Sequence, residues 1–307
     1  MRKIVLAAAS LALLAVACSN ASSVTPSSPS GTASQAPATA AECAQQNSSA
    51  FIAAGRLTIV TDNPAFPPYF AGGETKENPD WKFNDPYTGK GFEDAVAYEV
   101  ASRLGLTADQ VDWTVAPFNQ TYKPGPKDYD FAIEQISFSP KRAQAVDFSD
   151  TYYDEAQAVV AVKGTPITNA SSLSDLAQYT LAAPIGTTSF DLIQNTVGST
   201  PAGFNTLNDT VQALNAGQVD GMVVDLPTAL YVADPFVQQV KNSVVVGQFP
   251  VEGEPEHFGM TFTKGSALVG CVNQALSEMK DDGTLADITT TWLSEKTNVG
   301  KVPVFSS

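Results

Sequence analysis

Residue types that make or break bonds are sparse in this chain of 307 residues. There is one histidine, His257, and no Ser/His/Asp set, HExxH, CxxC or phosphate-cradling glycine loop accompanies it. The pattern points away from catalysis and metal ligation, and His257 is expected in a structural or solvated role. What remains suits the holding of a small charged molecule. Gly186-Thr187-Thr188-Ser189 stands where a helix would open, so its free N–H groups and short hydroxyls can hold a carboxylate, or act as a helix cap alone. Asp225 ends the apolar run VDGMVVD, where a charge has no evident packing reason. Arg142 lies in SPKRAQAVDFSD, and its neighbours alone would make it a surface arginine paired with Asp147.

The three cysteines, Cys18, Cys43 and Cys271, are interpreted through the N-terminus. Residues 1–18, MRKIVLAAASLALLAVAC, carry Arg2 and Lys3 and then an apolar run from Ile4 to Ala17. That run is shorter than the roughly 20 residues a spanning helix needs, and its charged start marks a secretory signal over residues 1–17. Leu14-Ala15-Val16-Ala17-Cys18 resembles a bacterial lipobox. This implies a lipidated Cys18 and a protein exported to the outer face of the cell membrane, in a periplasm or cell-wall zone. A plain secretory signal with a chance cysteine is the alternative. Lipidation removes the odd cysteine, and an oxidising compartment then favours a disulfide between Cys43 and Cys271 over two buried free thiols. Residues 18–41 are almost all Ser, Thr, Ala and Pro. They are expected to form a tether of about 23 flexible residues spanning on the order of 25 Å.

Charge narrows the class further. The chain has 17 Lys and Arg against 32 Asp and Glu, a formal charge of -15, with no basic stripe, so nucleic-acid binding is not expected. With 43% hydrophobic and 16% charged residues it can build a sizeable core. Strand-like and helix-like segments alternate after Glu42. A strand over 56–61 precedes a helix over 91–106 with Phe92, Val96, Val100 and Leu104 at spacings of four, and strands follow over 111–115 and 130–136. A second set comprises strands over 158–162, 179–184 and 219–225 with helices over 172–176, from 186 and over 208–216. A strand over 258–263 and helices over 266–280 and 285–293 close the chain. Such alternation predicts an α/β fold with mainly parallel sheets flanked by helices. Residues 71–90 are expected to form a hairpin, with Trp81 either over a cleft or anchoring the segment. Pro124 and Pro126 forbid a helix over 122–130.

Six segments in order carry a resemblance: LTIVTDNPAFPPYF (57–70), GFEDAVAYEVASRLGL (91–106), SPKRAQAVDFSDTYY (139–153), GTTSF (186–190), VDGMVVDLPTA (219–229) and DDGTLADITTTWL (281–293). Over residues 52–296 the chain resembles the amino-acid-binding family (family 3) of ABC-transporter substrate-binding proteins. The resemblance implies a two-lobed periplasmic-binding-protein-like fold of type II with two hinge crossings. Lobe 1 would comprise 42–156 and 255–307, and lobe 2 residues 157–254. The lobes would close on an amino acid and deliver it to ABC permease subunits, with the protein a monomer needing no cofactor.

The family's site residues map onto this chain one by one. Arg142 would fork onto the ligand α-carboxylate, assisted by Ser137 and, from lobe 2, by Thr188 and Ser189. Asp225 would receive the α-ammonium, and Phe66 and Phe118 would cover the ligand side chain. The chain departs from many relatives at Glu134-Gln135, where two small residues are usual, and at Asp62, which lies four residues before Phe66 instead of three. Asp62, Glu134 and Asp225 against Arg142 would leave a net negative site favouring a basic amino acid or a guanidine-like ligand. Glu134 pairing with Arg142 or Lys141 as a brace is the alternative. Two other functions fit the same fold: a dehydratase-like enzyme with Glu134 as cleft acid, and a ligand-sensing lipoprotein.

Overall fold

Strand β1 (Leu57–Thr61) is buried along most of its length, as a β-branched run covered on both faces should be. The helix Phe92–Arg103 follows it and buries Phe92, Val96 and Val100 of the predicted stripe. It leads to β2 (Val111–Val115), parallel to β1; β3 (Phe131–Ala132) pairs parallel on the other side of β1, and β4 (Asp147–Phe148) follows. The crossing strand β5 (Tyr153–Glu155) then takes the chain to β6 (Gln157–Val162), β7 (Leu181–Pro184), β8 (Ala202–Phe204), β9 (Gly221–Asp225) and β10 (Ser243–Gln248). These form a second sheet in the order β10-β6-β9-β7-β8. The chain returns through β11 (Glu256–Phe258), antiparallel to β5, and β12 (Thr261–Phe262) enters the first sheet, whose order is β2-β1-β3-β12-β4. The computed structural model describes residues 39–235, 237, 239–251, 253–294 and 302–307; Cys18, the signal segment and most of the tether lie outside them.

Several expectations are corrected. Both sheets are mixed instead of mainly parallel: β12 runs against β3 and β4, and β6 against β9 and β10. A strand entering a lobe from the hinge arrives from the end opposite to strands joined by crossover helices, so it must pair antiparallel. The strand expected over 130–136 stops at Ala132, because Gln135 adopts φ +47° and turns the chain. The segment over 258–263 divides into β11 and β12. Residues 71–90 contain no strand; they coil around Asp85, whose carboxylate accepts from the Tyr87 N–H (3.0 Å), the Asn78 side chain (2.9 Å) and the Thr75 hydroxyl. Trp81 is buried in the first core and anchors this segment. The end of the chain also departs from its assignment to lobe 1. Phe305, 3% exposed, packs in the second lobe's core 5.8 Å from Phe249, and the Gln248 N–H donates to the Pro303 carbonyl at 2.8 Å.

A disulfide joins Cys43, on the helix Ala40–Gln46, to Cys271, on the helix Leu268–Asp281, across a sequence separation of 228. It closes most of the folded chain into one loop and so restricts the unfolded state. Replacing both cysteines by serine should lower unfolding free energy by about 2–5 kcal/mol in a denaturant titration, and a reductant should reproduce the loss in the wild type alone. Unchanged stability would show that packing of the two helices suffices.

Candidate functional site

Nine of the ten predicted binding residues line one cavity of about 530 Å³ between the two sheets. Asp62, Phe66, Phe118, Glu134, Gln135 and Ser137 come from the first lobe, and Thr188, Ser189 and Asp225 from the second. Asp62 follows the end of β1, and Asp225 ends β9, so both sit where strands deliver polar side chains to a crevice. Phe66 stands at the wall against Phe83, with ring centroids 5.6 Å apart.

Arg142 is the exception. It lies on the short helix Pro140–Ala143, whose first turn is capped by Ser139, and its side chain is 7% exposed. Its guanidinium lies 4.4 Å from the Tyr122 ring centre and 5.3 Å from that of Phe118. Nη1 donates to the Ser137 carbonyl at 2.6 Å, and Nη2 crosses to the Gly186 carbonyl of the second lobe at 2.8 Å. The Tyr122 hydroxyl donates to the same carbonyl at 3.2 Å. Arg142 therefore braces the two lobes behind the cavity wall. Burial lowers its pKa, with Tyr122 acting in the opposite sense. Its sequence neighbour Asp147 pairs with Lys264 instead, at 2.7 Å.

On the second lobe the capping role falls to Thr187, whose hydroxyl accepts from the Phe190 N–H at 3.2 Å. This leaves the Thr188 hydroxyl free to face that of Ser137 across the cleft, 3.3 Å away. Ser189 donates to Gln157 Oε1 at 2.6 Å, and Gln157 Nε2 in turn reaches Asp225 at 2.8 Å and Glu155 at 3.1 Å. One amide thus orients both the hydroxyl and the carboxylate of lobe 2. Burial raises the pKa of both Asp225 and Glu155, and the nearby Asp225 pushes Glu155 further in the same direction.

Glu134 is 5% exposed, and its Oε2 has no hydrogen-bond partner among the described residues. Among the described residues Glu134 forms no ion pair with Arg142 or Lys141, and the terminal guanidinium nitrogens of Arg142 are directed to carbonyls. Burial pushes the Glu134 carboxyl well above its ordinary range, and Asp62 and Glu93 push the same way. Asp62, also raised by burial, accepts from the Asn63 N–H at 2.8 Å. Gln135 directs its amide away to Glu93. His257 sits on β11 and stacks on Phe138 at 5.2 Å, away from the cavity lining.

Sequence reasoning missed Tyr69, Tyr122, Gln157 and Thr228. The Thr228 hydroxyl donates to the Tyr69 hydroxyl at 3.2 Å, a further link between the lobes. Thr228 had a signal, since it follows Asp225 by three residues on the helix Leu226–Val232 and shares its face. Nothing local pairs Tyr122 with Arg142 or Gln157 with Ser189.

Two mixed sheets flanked by helices and joined by the paired crossings β5 and β11, with a cleft between them, define a two-lobed binding-protein fold of type II. The chain belongs to the bacterial extracellular solute-binding proteins, family 3, whose family model matches residues 72–295. It is 31% identical over 220 residues to the L-cystine-binding protein TcyA of Bacillus subtilis strain 168, covering 69% of this chain and 76% of TcyA. It is 27% identical over 214 residues to the arginine-binding extracellular protein ArtP of the same organism, covering 66% of this chain and 78% of ArtP. A solved structure of an ancestral arginine-binding protein bound to arginine superposes with a TM-score of 0.60 at 29% identity, covering 78% of this chain and 98% of that one. Among the described residues no helix is long and apolar enough to cross a membrane.

Proposed function

We propose that this protein is the extracytoplasmic solute-binding component of an ABC importer and that it captures a basic amino acid. The observation that carries the choice of ligand is the buried Glu134 carboxyl, lining the cavity with one oxygen unpartnered. A buried acceptor without a donor is costly, and a cationic side chain entering between Phe66 and Phe118 removes that cost. Asp62 adds a second acidic group to the same cavity. The α-carboxylate is taken by the hydroxyls of Ser137 and Thr188 with Arg142 behind them, and the α-ammonium by Asp225. Because the contacts come from both lobes, ligand favours the closed form, which docks the permease subunits. The protein acts as a monomer held to the membrane only by lipid on Cys18 and the tether.

A thermal-shift screen of the mature protein against all common amino acids, ornithine, polyamines and aromatic keto acids tests this reading. Ligand at 100 times its Kd stabilises the native state by about 2.7 kcal/mol. L-arginine, L-lysine or ornithine should stand apart from the neutral amino acids. Selective stabilisation by L-cystine or L-glutamine would remove the basic preference; silence toward every amino acid, with turnover of a keto acid, would replace the binder by an enzyme. Asp225→Asn is expected to weaken the best ligand by more than about 30-fold in calorimetry, the scale of losing one charged partner of a buried pair. Retained affinity would place the α-ammonium elsewhere.

A further inference from the structure

We infer that Glu93, which does not line the cleft, is a positioning residue: it holds Gln135 in a left-handed turn and thereby aims Glu134 and Ser137 into the cavity. The inference rests on the binding role proposed above. Gln135 has φ +47°, a conformation that a residue with a side chain keeps only where its surroundings impose it. Glu93 imposes it from both ends of the residue. Its Oε1 accepts the Gln135 backbone N–H at 2.7 Å, and its Oε2 accepts the Gln135 side-chain amide in a short hydrogen bond.

Glu93 is itself fixed. It has no exposed surface, lies in the first turn of the helix Phe92–Arg103, and its N–H donates to the carbonyl of Tyr69 at 3.0 Å. The Tyr152 hydroxyl donates to Oε1 as a further anchor. Such an acid is a poor core filler, since an apolar residue would pack there without desolvating a carboxyl. Three donors converging on it, two of them from one strained residue, give the carboxylate its reason. The residues beside Gln135 are the ones the cleft uses: Glu134 lines it, Ile136 is buried behind, and Ser137 offers its hydroxyl toward Thr188.

The test combines amide hydrogen exchange of the ligand-free protein with calorimetry, using whichever of L-arginine, L-glutamine and L-cystine the wild type binds most tightly. Glu93→Gln keeps the shape and removes one anionic acceptor. It is expected to speed exchange in peptides covering residues 131–138 by about tenfold or more while β1 and β2 are unchanged, and to weaken binding about 10- to 100-fold, the scale of one hydrogen bond to a charged group. The melting temperature should not fall. Gln135→Gly supplies a residue for which the left-handed turn is free. In that background Glu93→Gln should add less than about threefold to the loss of affinity, a coupling that a merely structural acid would not show. Glu93→Asp, which keeps the charge and withdraws it by one methylene, should behave like Glu93→Gln. Exchange and affinity within twofold of wild type, full additivity with Gln135→Gly, or failure of both Glu93 variants to fold would each overturn the assignment. If none of the three amino acids binds the wild type, the proposed ligand class fails, and exchange over 131–138 still decides the role of Glu93.

Discussion

Arg142→Ala is expected to reduce ligand affinity by about 100- to 3,000-fold while the protein still folds, corresponding to about 3–5 kcal/mol for removing one member of a buried, hydrogen-bonded charged group. Three contributions vanish together. The site loses the cation proposed to stand behind the α-carboxylate, the carbonyls of Ser137 and Gly186 lose a shared donor, and the rings of Phe118 and Tyr122 lose the plane on which they pack. The Gly186 contact, like those of Ser137 with Thr188 and of Tyr69 with Thr228, exists only while the two lobes face each other. Arg142→Lys separates charge from bridging: an ammonium restores the former but cannot hold two carbonyls and a ring face in one plane. Calorimetry should therefore place Arg142→Lys nearer to alanine than to wild type, with circular dichroism melts confirming the fold. Affinity retained in Arg142→Ala would show the residue to be a lobe brace dispensable for recognition.

Glu134→Gln is expected to lower affinity for L-arginine by about 100-fold and to change that for L-glutamine by less than about threefold, because the substitution exchanges a carboxylate for an amide of the same shape at the point where the ligand side chain ends. Stability should move the other way. Burial holds the folded-state pKa of Glu134 well above its ordinary value of 4.5. A group raised in this sense contributes stability that is complete below pH 4.5 and is lost as pH rises through the folded value. Glutamine carries no such penalty, so the ligand-free variant should melt at or above the wild-type temperature at pH 8, and the difference should close toward pH 4. A cationic ligand supplies the same relief by pairing with the carboxylate. Equal losses for L-arginine and L-glutamine would mean that Glu134 shapes the cavity without reading charge.

Much of the fold was legible because its signals are local. The stripe of Phe92, Val96 and Val100 at spacings of four marks a helix wherever the chain places it, and Leu57–Thr61 reads as a strand from side-chain type alone. The pairing of Cys43 with Cys271 was expected once Cys18 was set aside as the lipidated cysteine, and the structure contains that disulfide. The hairpin over 71–90 failed for a related reason. Its turn residues were real, but Asp85 gathers them around its own carboxylate, and hydrogen bonds to one side chain replace a ladder between strands.

By itself the sequence determined the class of molecule, an acidic α/β protein resembling the solute-binding family; of the ten residues that the resemblance implied for the site, nine line one cavity and Arg142 does not. Periodicity, caps and the order of segments are properties of windows a few residues wide, so they survive without knowledge of contacts. Only the tertiary structure decided which contacts each of these residues makes. Arg142 acts through the carbonyl of Gly186, 44 residues away, and Gln135 is held by Glu93 at a separation of 42. Glu134 stands out because no donor among the described residues reaches its Oε2. Burial and hydrogen-bond satisfaction depend on which distant groups the fold brings within about 3 Å, and no local pattern encodes that.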